Sequence, residues 1–221
     1  MSPGTVAALA VGSLVFGSAL GVGLAAAIDH VPERPADFHR SRPRLHLSAV
    51  VAVTGVGFLL AFLRFGVAWR LPLAWFFIAV MVVVAFIDWE LMIIPNKIVL
   101  PAAAIGLAAS IAIDPAGWWV YLVSAVGAAL FLFILALIWP GGMGAGDVKL
   151  ALFMGAVLGA MVIAAMFLAF LFGAIVGLVL IASKLKSRKD AIPFGPYLAL
   201  GSVLALLYGP WMVSAYLSLM K

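Results

Sequence analysis

From Leu150 to Ala182 the chain carries no charged side chain. One helix of that length would run to about 50 Å at 1.5 Å per residue, against a hydrocarbon core of roughly 30 Å. The stretch is too long for a single crossing and too apolar for a soluble fold. Composition agrees: 67% of residues are hydrophobic, 10% are charged, and the mean hydropathy is +1.29. Soluble domains run about 45–50% apolar and roughly 25% charged. The expected class is an all-α polytopic membrane protein, with residues 1–221 forming a single membrane domain.

A span needs about 20 apolar residues. That rule predicts spans near 5–28, 47–63, 72–87, 98–113 and 118–139, and a last one near 197–219. Gly155, Gly159 and the small residues between them divide the uncharged run into two short, tightly turned spans near 148–163 and 166–182. The expected count is about eight, with both termini extracytoplasmic.

The basic residues test this arrangement. Eight spans place Arg34, Arg40, Arg42, Arg44, Lys97, Lys149, Lys184, Lys186, Arg188 and Lys189 on the cytoplasmic side, and only Arg64, Arg70 and Lys221 opposite. A single helix across 150–182 would put the Lys184–Lys189 cluster outside, against the positive-inside rule. A pI near 9.8 is therefore read as a topology signal and not as a nucleic-acid site. Seven of the eight acids sort to the cytoplasmic side as well; only Asp114 lies outside. The absence of cysteine excludes disulfides, a cysteine nucleophile and a thiolate zinc site. The amino-terminal segment has no basic region ahead of its apolar run, so an uncleaved first span is expected. Residues 29–46 read as a short, Pro-rich cytoplasmic loop.

Two segments at the cytoplasmic edge combine acids with irregular backbone: "FIDWELMIIPNK" at 86–97 and "GGMGAGDVK" at 141–149. An ionisable side chain at membrane depth costs roughly 2.5–3.5 kcal/mol on insertion scales, which marks it as functional. Asp88 ends span three and Asp147 begins span six, so the two fall at one depth. Carboxylates a few Å apart share a proton and titrate in two steps. Such a pair suits peptide hydrolysis, with one acid activating water and the other polarising the scissile carbonyl. Gly144 and Gly146 leave room for a substrate backbone beside Asp147.

These segments resemble the type IV prepilin peptidases, intramembrane aspartyl proteases with a Gly-x-Gly-Asp motif. "GAGD" followed by "VKL" is similar to that motif, and "DWELMIIPN" resembles the family's first-aspartate segment. "GAVLG" at 155–159 and "PFGPYLALG" at 193–201 resemble its later segments, so the likeness runs from about 75 to 205. The resemblance implies a peptidase core over 75–205 with Asp88 and Asp147 as the catalytic pair. It implies that Pro193, Gly195 and Pro196 position substrate, beside Gly144, Gly146 and Lys149 as further candidates for that role, and no metal or cofactor is expected. The implied activity is removal of the short basic leader from prepilin or pseudopilin precursors, just after a glycine. The implied place is the bacterial inner membrane, with the active site facing the cytoplasm.

The chain departs from the family between spans one and two. Many members carry a large loop there with paired-cysteine zinc motifs, linked to N-methylation of the new pilin terminus. Here 29–46 is short and lacks cysteine, which implies a peptidase without the methyltransferase.

Plainer readings stand beside these. Asp147 is also well placed to cap span six, and Asp88 to be an interfacial charge beside Trp89. Glu90 would turn to another face from Asp88. Pro95 and Asn96 end one segment and begin the next. Lys149 is open to snorkelling, to offsetting the Asp147 charge, or to meeting an acidic substrate residue. His30, His39 and His46 have no ligand spacing. At the level of the whole chain, a proton- or cation-coupled transporter would use the same two acids but would need polar groups deeper in the spans. An inactive scaffold for a pilus or secretion complex would need neither.

Overall fold

The structure, a computed structural model, describes residues 2–30, 43–139, 142–187 and 190–219. Among them it is entirely helical: α1 (Pro3–His30), α2 (Pro43–Phe65), α3 (Arg70–Leu91), α4 (Asn96–Ile113), α5 (Trp118–Ile138), α6 (Ala145–Leu158), α7 (Val162–Ala182) and α8 (Gly195–Leu219). Short 3-10 turns at Pro115–Gly117 and Gly159–Met161 lead into α5 and α7. The expected loop at 29–46 is narrower than its composition suggested. α1 continues to His30 and α2 begins at Pro43, and residues 31–42 lie outside the described residues.

Among the described residues, seven stretches are long and apolar enough to cross a membrane, with Ala145–Ala182 forming one of 38 residues. Within it the chain does not run straight. At Gly159 the backbone takes φ +56° and ψ −138°, a conformation open to glycine because it has no Cβ. The contacts on either side show a reversal. Gly159 lies against Tyr121 near the start of α5 and Gly209 against Met161, whereas Gly173, further along α7, lies against Phe194 and Tyr197 at the start of α8. The first residues of α6 and the last of α7 therefore share one end of the bundle. The break falls earlier than the expected boundary of 163–166, because only backbone geometry marks it in a run of uniform hydrophobicity.

α3 is the central element. Phe77, Met81 and Val84 belong to a core shared with α4–α8, while Ile78, Val82 and Ile87 belong to one shared with α1, α2 and α8. Elsewhere large side chains face outward without cover. Val123, Val126, Leu130, Leu137 and Ile138 of α5 and Ile163, Phe167 and Leu178 of α7 are all more than half exposed. Water would not tolerate such a belt, but lipid is as apolar as these side chains.

Candidate active site

Asp88 lies in the last turn of α3 and Asp147 in the first turn of α6. Both are buried, at 5% and 7% exposure, and both line a single cavity of about 300 Å³ with Asn96, Gly144, Gly146 and Lys149. Asp88 lies near enough for its charge to act on Asp147. An acid buried to this degree needs hydrogen-bond donors. Here each finds a backbone N–H: Gly195 donates to Asp88 Oδ2 at 2.8 Å and Gly144 donates to Asp147 Oδ2 at 3.1 Å.

The Gly144 bond is half of a capping box, since glycine has no side chain to return the other half. The capping role foreseen for Asp147 is thus present together with its place in the cavity. Gly146 is required by a close approach: a Cβ there would stand 2.7 Å from Ile94 Cβ. Gly195 is held just as closely. A Cβ on it would fall 2.7 Å from Asp88 Oδ2 and 3.0 Å from Cγ.

Around this pair the chain matches the type IV leader peptidase family over residues 75–178. It is 38% identical over 173 residues to the prepilin leader peptidase/N-methyltransferase of Bacillus subtilis (strain 168), covering 77% of this chain and 69% of that protein. The chain belongs to the type IV leader peptidase family. By that membership it is a protease of the aspartic class. Proteins of the same printed name from Pseudomonas putida and Aeromonas salmonicida (strain A449) are 33% and 36% identical over 180 and 185 residues. Those alignments cover 72% and 78% of this chain but 60% and 58% of the relatives. No solved structure matches the chain.

The other residues singled out in this peptidase sort into two groups. Lys149 lines the cavity, and its Nζ donates to Asn96 Oδ1 at 2.8 Å. Of the three roles open to it from sequence, the bond it makes is a fourth: it ties α6 to the start of α4. Pro193 and Pro196 flank Gly195, are half-buried, and lie outside the cavity lining. Glu90 is likewise half-buried and outside it. Sequence reading did not foresee the structural part of Asn96, taken only as a helix start, nor that of Met92. Met92 lines the cavity with φ 54° and ψ 37°, left-handed for a non-glycine residue. That conformation costs of order 1–3 kcal/mol and turns the chain sharply from α3 toward Pro95. His39 lies outside the described residues.

Proposed function

We propose that this peptidase removes the short basic leader from prepilin or pseudopilin precursors, with Asp88 and Asp147 as its catalytic pair. The observation that carries the proposal is the pair itself: two buried carboxylates from different helices, facing one cavity at one end of the bundle. Because backbone N–H groups engage Oδ2 of each, the Oδ1 atoms are left to hold a shared proton and the attacking water. The ionised acid takes a proton from water, and the hydroxide adds to the scissile carbonyl while the protonated acid donates to its oxygen. Collapse of the tetrahedral intermediate returns a proton to the departing amine. The Gly144–Gly146 backbone and the Pro193–Pro196 segment place the substrate chain.

In this reading 75–205 is the peptidase core of a single membrane domain. The chain crosses the bacterial inner membrane eight times with both ends extracytoplasmic, and the aspartates face the cytoplasm. Lys97, Lys149, Lys184 and Lys186 near the aspartate end support that orientation. A 29–46 segment without cysteine supports a peptidase that does not methylate its product. Co-expression with a prepilin provides the test. Asp88→Asn and Asp147→Asn should each lower leader removal by at least about 100-fold, the scale of a lost acid–base group. Near-normal cleavage by either variant would refute the assignment. Purified enzyme with S-adenosylmethionine should yield cleaved but unmethylated product; methyl incorporation would overturn the second part.

A further inference from the structure

The opposite end of the bundle holds a second polar cleft. It lies between the end of α2, the start of α3, the end of α4, the start of α5, the α6–α7 turn and the middle of α8, and has a volume of about 160 Å³. Arg70 and Asp88 are eighteen positions apart on α3, so the cleft sits roughly 27 Å from the aspartates along that helix. It belongs to no part of the mechanism above.

Two guanidinium groups, Arg64 and Arg70, line it together with Ser110 and Tyr121. Arg64 spends its Nε on the Leu207 carbonyl at 2.8 Å, three residues before Pro210 in α8, and keeps its terminal N–H groups. The only acid nearby among the described residues is Asp114, and it is occupied. Its Oδ1 accepts from Gly117 N–H at 3.2 Å and its Oδ2 lies 3.5 Å from the Tyr121 hydroxyl. With two guanidinium groups against that one carboxylate, the cleft keeps a net positive charge.

Ser110 supplies an independent sign. Its hydroxyl is buried, at 2% residue exposure, and has no hydrogen-bond partner. Ser13, Thr54 and Ser202 each turn their hydroxyls back onto the carbonyl four residues earlier. Ser110, on a helix with the same option, lines the cleft instead. A buried donor left without an acceptor is costly and rare, and marks a place where a partner belongs.

Depth indicates the source of that partner. Trp69, Trp118, Trp119 and Trp211 are 89%, 51%, 56% and 68% exposed at this same end, and exposed tryptophan gathers at headgroup level. We propose that the cleft binds one phosphate group, presented by an anionic phospholipid, between the Arg64 and Arg70 guanidinium groups with the Ser110 hydroxyl donating to it. Arginine suits phosphate through its planar fork of donors.

Native mass spectrometry of the full chain in detergent tests this, with phosphatidylglycerol, diacylglycerol of the same acyl chains and inorganic phosphate as probes. Wild type should retain one phosphatidylglycerol and no diacylglycerol, and millimolar inorganic phosphate should not displace the lipid. Arg70→Gln should weaken retention at least tenfold and Ser110→Ala several-fold. Saturable binding of inorganic phosphate that both substitutions weaken would keep the site and reassign its source to free phosphate. Equal retention of the two lipids, or wild-type retention by both variants, would overturn the proposal. Ser110→Ala removes one buried oxygen without changing packing, so it reads the site even if Arg70→Gln misfolds, which circular dichroism without lipid would reveal.

Discussion

Gly195 shows how a residue with no side chain can fix a catalytic group. Its N–H holds Asp88 Oδ2, and the space a Cβ would need is taken by that same carboxylate. Gly195→Ala should therefore displace Asp88 by a few tenths of an ångström or more while leaving the helices intact. On a scale where a 1 Å misplacement costs about 100-fold, leader removal should fall about 10- to 100-fold with little change in melting temperature. Kinetics on a prepilin peptide would show it as a loss in kcat. Lys149→Met should behave differently. It removes a partly exposed bond to Asn96, worth no more than about 1 kcal/mol, and should cause a small drop in thermal stability. The two aspartates were legible in the sequence because an acid amid hydrocarbon needs a reason. The Lys149–Asn96 pair was not, because its members lie 53 positions apart and neither residue type is unusual at a helix end.

Among the elements, α5 and α6 come into close contact at Gly155, where a Cβ would collide with the Ser124 backbone; α7 and α8 do so at Gly201, against the Ala165 carbonyl. Without a hydrophobic force between helices in lipid, such small-residue contacts carry packing. Gly155→Val and Gly201→Val should each cost about 1–3 kcal/mol or more, as overpacked cores do, seen as a lower midpoint in detergent-induced unfolding. Most helix positions could be read from hydropathy alone, to within a few residues at each end. The α6–α7 boundary could not. Glycines flagged a turn, but α6 stops after 14 residues, about 21 Å, which is short of the roughly 30 Å core. Length rules therefore merge it with α7. Pro101 and Pro210, breakers by the usual reading, sit inside α4 and α8; each leaves the carbonyl four residues earlier without its helical donor, and one position past that gap in α8 Arg64 donates to the Leu207 carbonyl.

For the molecule as a whole, the absence of cysteine offers a direct test of the proposed path through the membrane. Single cysteines at Val67, Ala160 and Lys186 should report it with a membrane-impermeant maleimide. Val67 and Ala160 should label from the extracytoplasmic face and Lys186 from the cytoplasmic face only; Ala160 labelling with Lys186 would reduce the crossings to fewer than eight. The bond from Gly195 to Asp88 joins residues 107 apart, the start of the last helix to the end of the third. That single amide is therefore a natural gauge of the acid it touches. Its exchange of hydrogen for deuterium, slow while Oδ2 holds it, should quicken whenever a bound peptide draws the carboxylate away, so that occupancy can be read from one backbone position without any label.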